Sequence, residues 1–140
     1  MSPVERIHCC EDDDTVITRE SFKSIIASNT HDFLIFKFSA TWCGPCEKLA
    51  PILDKYISQI ESNTKQSTKT LKVYHVDVDD CFDIYAFLKS KKRVSGIPSL
   101  FFYFPREDRD IDHYYIPDAS TSGIDEPFMQ KMFDEISKRL

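Results

Sequence analysis

No apolar run in these 140 residues approaches the roughly 20 residues of a membrane span; FLIFKF and LFFYF are strand-sized. A membrane partner is therefore not expected. The N-terminal MSPVERIHCCEDDD holds no apolar stretch of the kind that carries a secretory signal. A cytoplasmic protein is therefore expected, in a host cytosol if the source is viral. Positive charge is in deficit, with 18 Lys and Arg against 23 Asp and Glu. The net charge of −5 argues against nucleic acid, whose binders usually show a basic face. There is no internal repeat and no low-complexity linker.

Metal-ligand spacing is also lacking. A zinc site needs about four ligands, and one CxxC stands without a second CxxC or CxxxH. Cys9 and Cys10 are vicinal, Cys81 is alone, and the four histidines are scattered. No metal is expected. Without export, a stable structural disulfide is disfavoured, so Cys43 and Cys46 read as a redox pair more readily than an inert one.

Residues 1–13 look like a flexible tail, and the acidic run Glu11–Asp14 like a solvated segment. The remainder, residues 14–140, reads as one domain. TVI at 15–17 predicts a short strand, and Thr18 can cap a helix carrying Phe22, Ile25 and Ile26. FLIFKF at 33–38 predicts a strand covered on both faces. Leu49, Ile52, Leu53, Tyr56, Ile57 and Ile60 recur at helical spacing, so a long amphipathic helix begins near Cys43. Ser62 to Thr68 reads as a loop. LKVYHVDV at 71–78 predicts a strand, and Ile84, Tyr85 and Leu88 a helix with a basic C-terminal end. SLFFYF at 99–104 and IDHYYI at 111–116 predict a hairpin, followed by a polar loop from Pro117 to Asp125. Phe128, Met132, Phe133, Ile136 and Leu140 mark a last helix. The order is β-α-β-α-β-α-β-β-α, an α/β fold with a mixed central sheet and helices on both faces.

A CxxC between a buried strand and a helix has a physical logic. Free N–H groups and the partial positive charge of a helix N-terminus stabilise an anion there. Cys43 at that point becomes a thiolate more readily than an ordinary thiol, and thiolate is the species that attacks a disulfide. Cys46, one turn on, lies within disulfide reach and is expected to be the less exposed, resolving thiol. Pro45 suits the first helical turn and stiffens the loop between the thiols.

With strand, WCGPC and helix in place, the chain resembles the thioredoxin family over roughly residues 14–140. WCGPC is that family's active-site sequence. Pro51 stands where relatives carry a helix-kinking proline, leaving the Glu47 carbonyl without its N–H donor. VDVDDC at 76–81 is similar to the same segment of eukaryotic cytosolic thioredoxins. SGIPSL at 95–100 is similar to the family's cis-proline loop and assigns that role to Pro98. The resemblance implies a thioredoxin fold and disulfide reduction by Cys43 and Cys46. Trp42, Gly44, Pro45, Ile97 and Pro98 would form an apolar docking surface, with Ile97 pairing to the substrate backbone. Protein disulfides are the implied substrates. No cofactor is implied on the chain itself, and a thioredoxin reductase would deliver electrons from NADPH.

Several positions depart from the family pattern. Lys37 occupies the place of a buried aspartate and His75 that of its lysine partner. If charged, Lys37 would stabilise thiolates and make the disulfide more oxidising. If burial keeps it neutral, its amine could accept a proton. Its stem could also carry the charge to solvent, so that it does neither. Ser39 replaces a tryptophan of many bacterial relatives. Glu47 replaces a common basic residue, which disfavours acidic partners. The glycine expected after the last strand is missing near Ile116–Asp118, and Pro105 to Glu126 is a longer connection than usual. Cys81 reads as a regulatory thiol or a half-buried spectator, and Cys9 and Cys10 as spectators in the tail. Two other functions compete with reduction. One is isomerase or oxidase activity, which Lys37 favours and the Gly-Pro between the cysteines disfavours. The other is a binding module with incidental chemistry.

Overall fold

The computed structural model describes residues 2–9, 16–64 and 67–140. In chain order the elements are β1 (Val4–Cys9), α1 (Arg19–Ser28), β2 (Phe33–Ser39), α2 (Gly44–Asn63), β3 (Leu71–Asp77), α3 (Phe82–Ser90), β4 (Ser99–Tyr103), a 3-10 turn (Ile111–His113), β5 (Ala119–Ser122) and α4 (Glu126–Arg139). The sheet order is β1-β3-β2-β4-β5. The first three strands run parallel, β4 runs antiparallel to β2, and β5 antiparallel to β4.

Strand periodicity divides the core. From β2, Leu34, Phe36 and Phe38 enter one cluster with Phe22 and Ile26 of α1 and Ile84 and Leu88 of α3. Phe33 and Ile35 enter the other with Leu49, Leu53 and Ile57 of α2 and Met129 and Phe133 of α4. Both faces are covered, so the near-continuous apolar run of β2 is required. Lys37 breaks that run on the α2 side. Thr18 caps α1 through a reciprocal pair of bonds with Ser21. No helix among the described residues is long and apolar enough to cross a membrane.

Three expectations need correction. Residues 4–9 are not tail but a sheet edge strand, and the acidic run at 11–14 lies outside the described residues. VERIHC alternates two ways: Val4 packs on the α2 face, while Ile7 and Cys9 pack on the α1 face. Its charges obscured this in the sequence. The proposed strand at 15–17 is absent at Val16 and Ile17, while Thr15 lies outside the described residues. Ile17 is nonetheless buried, and its amide donates to Cys81 Sγ at 3.3 Å.

The third correction concerns the hairpin. Residues 111–116 do not pair with β4; the partner is β5, the short polar segment ASTS within the expected loop. Asp110 folds 111–113 into a turn by accepting from the Asp112 amide at 3.1 Å and pairing with His113 Nδ1 at 2.7 Å. Tyr114 then stacks on Phe87, and its carbonyl accepts from Tyr103 Oη at 2.7 Å. The aromatic residues serve helix packing rather than a strand. The connection is pinned at Asp118, which receives Arg109 Nη2 at 2.6 Å, the Phe104 amide at 2.7 Å and Arg106 Nη1 at 3.0 Å.

Candidate active site

Strand β2 ends at Ser39, and the chain turns through Ala40, Thr41 and Trp42 before α2 begins. Cys43 is the N-cap of α2 and Pro45 lies in its first turn. The Cys46 amide donates to Cys43 Sγ at 3.2 Å. Cys43 and Cys46 form a disulfide with their Cα atoms 5.2 Å apart. Both cysteines are 5% exposed, so the expected difference in accessibility is absent in this oxidised state. Gly44 and Pro45 between them are exposed. Pro51 lies inside α2, and having no N–H it cannot supply the i+4 donor to the Glu47 carbonyl.

Trp42 beside the disulfide is 70% exposed. Its Nε1 donates to Asp79 Oδ2 at 2.8 Å, which fixes an apolar ring in water by its polar end. Asp79 sits in a turn that Asp77 holds by accepting from the Asp79 and Asp80 amides at 2.8 and 3.2 Å. Sequence reasoning marked the VDVDDC segment but did not assign Asp79 this role. Only the fold brings it to Trp42.

The Ile97–Pro98 peptide bond is cis. Ile97 packs against the cluster that contains both Cys43 and Cys46. The loop is tied down by Ser99 Oγ donating to the Gly96 carbonyl at 2.7 Å. Across from it, the Gly123 amide donates to the Pro98 carbonyl at 2.8 Å. Gly123 has φ +73°, a conformation that favours glycine. The glycine expected after the last strand is thus Gly123, since the last strand is β5 and not residues 111–116.

Lys37 and His75 are brought together, as direct partners across β2 and β3. They line a cleft with Arg6, His8, Ala50, Leu53, Asp54 and Ile57. It lies along α2, whose Ala50 is one turn beyond Cys46. Burial holds the Lys37 ammonium below its ordinary pKa. Burial first, then the charge of Lys37, pushes His75 down to about 4. The His8 ring stacks on His75 at 4.6 Å, and His75 Nε2 is buried without a hydrogen-bond partner.

Cys81 is fully buried at the N-cap of α3, and its Sγ lies 3.5 Å from the Cys9 carbonyl. Cys9 is likewise buried, in β1 rather than in a tail. Cys10 lies outside the described residues. Among the described residues, no group of three or more His, Cys, Asp or Glu is arranged to hold a metal ion.

The family model for thioredoxin matches residues 14–119. The chain belongs to the thioredoxin family. A thioredoxin of Echinococcus granulosus is 36% identical over 93 residues, covering 66% of this chain and 72% of that protein. A protein disulfide-isomerase of Zea mays is 32% identical over 96 residues, covering 64% of this chain but 17% of that protein. The chain thus spans under a fifth of that isomerase, and about a quarter of a probable disulfide-isomerase A6 of Medicago sativa. In fold it is similar to the thioredoxin of Trichomonas vaginalis, with TM-score 0.61 at 22% identity, covering 97% of this chain and 99% of that one. It is also similar to a chloroplastic thioredoxin z, with TM-score 0.61 at 25% identity, covering 96% and 95%.

Proposed function

We propose that this protein is a thiol–disulfide oxidoreductase that reduces disulfides of other proteins. The observation that carries the reading is the Cys43–Cys46 disulfide at the N-terminus of α2, beside an exposed Trp42. In the reduced form, the helix terminus and the Cys46 amide favour thiolate at Cys43. That thiolate attacks one sulfur of a substrate disulfide, and the other sulfur leaves and takes a proton. Cys46, deprotonated, then attacks Cys43 Sγ. The second substrate sulfur leaves as a thiol, and the Cys43–Cys46 bond forms. Two electrons pass to the substrate, which gains two protons from the dithiol. Trp42, Gly44, Pro45, Ile97 and Pro98 form the surface on which the substrate lies.

The couple must then be reduced again. The donor in this reading is a thioredoxin reductase drawing on NADPH, in a cytoplasmic setting. Lys37 acts as a positioning residue through its charge. An ammonium in the cleft along α2, about one turn beyond Cys46, stabilises thiolates, hence the reduced form, and makes the disulfide a stronger oxidant. The couple is then less reducing than the roughly −270 mV of thioredoxin. A second reading, isomerase or oxidase action, draws on the same charge and on the similarity to disulfide-isomerases.

Insulin reduction by dithiothreitol tests the proposal. Wild type accelerates it, Cys43→Ser abolishes the acceleration, and Cys46→Ser accumulates a mixed disulfide with substrate. Equal acceleration by Cys43→Ser overturns the reading in favour of a binding module.

A further inference from the structure

The cleft behind the active-site helix has a charge imbalance that disulfide chemistry does not require. Residues His8, His75 and Lys37 occupy one row across β1, β3 and β2. Arg6 lies two residues before His8 on the same face of β1. Ala50, Leu53, Asp54 and Ile57 of α2 form the opposite wall. The space between is about 300 Å³. At about 30 Å³ per water, that is room for a small ion and part of its hydration shell.

The cations here are not equivalent. Arg6 is balanced, with Nη1 at 2.8 Å from Glu61 and Nη2 at 3.4 Å from Asp54. Lys37 forms no ion pair among the described residues, and α2 and the sheet cover it only in part. Its strand partner is an imidazole whose affinity for a proton is lowered first by burial and then by the charge of Lys37. A half-buried ammonium without a counter-charge is costly, and an anion beside it would remove that cost. The walls deeper in are apolar (Leu53, Ile57), which strengthens any charge pair formed against them. Asp54, whose side chain is 67% exposed, disfavours a dianion at the entrance.

We propose that this cleft binds a small oxyanion, a phosphate or a carboxylate carrying one negative charge, held by the Lys37 ammonium with the His75 ring beside it. Lys37 offers three donors, and an oxyanion offers acceptor oxygens set apart in space, where a halide is a single atom. The proposal does not rest on the redox reading; it stands on the cleft and its charges. The groups that face His75 are Arg6 and His8 of β1, Lys37 of β2 and Asp54 of α2. An anion among them partly cancels the field of Lys37, so His75 binds its proton more readily. By linkage, a protonated His75 tightens anion binding by the same factor.

The test is an NMR titration of the His75 ring in the oxidised full-length chain. Three media are compared at equal ionic strength: sodium chloride, inorganic phosphate and sodium formate. Phosphate or formate should raise the His75 midpoint saturably by about one pH unit over chloride, a tenfold coupling. A shift with phosphate alone or formate alone assigns the ligand to that source. Lys37→Met should abolish the saturable shift. Should Lys37→Met fail to fold, Asp54→Asn, at the exposed entrance, should bind the effective anion several-fold more tightly than wild type. Identical midpoints in all three media overturn the proposal. So does a shift that survives Lys37→Met, or an unchanged affinity in Asp54→Asn.

Discussion

Lys37 and His75 face one another across β2 and β3, an ammonium beside an imidazole, and neither forms a salt bridge among the described residues. The pairing has a consequence for stability. His75 is held at about 4, below its ordinary 6.5. Above the ordinary value both folded and unfolded chains leave the ring neutral, and it costs nothing. As pH falls from about 6.5 towards about 4, the unfolded chain binds a proton that the folded chain refuses. Stability is lost across that window and levels off below it. The expected loss is on the order of 2 kcal/mol after allowing for solvent screening. Urea unfolding in chloride buffers, with His75→Gln as reference, checks this: the variant should lose less stability between those limits.

Trp42 depends on Asp79. Removing the acceptor frees the indole to rotate, and a docking surface that must be ordered on binding binds less well. Asp79→Ala should lower kcat/KM for a protein disulfide about fivefold, the worth of one hydrogen bond near 1 kcal/mol. Reduction of a small disulfide that does not span Trp42 should change much less. Steady-state assays on the two substrates separate docking from chemistry.

The connection after β4 depends on Asp118. Burial alone would raise its pKa, but Arg109, the Phe104 amide and Arg106 outweigh that and hold it below the usual carboxylate value. Arg109 is itself only 10% exposed. Asp118→Asn leaves that guanidinium buried without its counter-charge and should cost about 3 kcal/mol or more. Thermal unfolding of the variant should show a clearly lowered Tm.

The buried thiols should be inert in the folded protein. Cys9 and Cys81 are 1% and 0% exposed. Brief alkylation of the reduced chain, read by mass spectrometry, should modify Cys43 ahead of both. Denaturant should remove that difference.

Much of the site was legible because its signals are local. The WCGPC motif, the apolar stripe from Leu49 to Ile60 and the Ile97–Pro98 dipeptide each lie within a few turns or one loop. What escaped was tertiary. β1 alternates charged and apolar residues and draws its stability from pairing with β3, so VERIHC alone resembles a tail. The ASTS of β5 has little strand propensity and is held by its ladder to β4. Conversely, the aromatic residues at 114 and 115 suggested a strand but pack on Phe87, 27 and 28 residues earlier in the chain. Misplacing that strand also hid Gly123. The bond from Trp42 to Asp79 spans 37 residues, and only the fold closes it.

The most direct test is the equilibrium of the Cys43–Cys46 couple against glutathione, in wild type and in Lys37→Asp. The account predicts a reversible two-electron couple tens of millivolts above the roughly −270 mV of thioredoxin, shifted downward by the aspartate. A wild-type value at or below that figure, unmoved by the substitution, would contradict it.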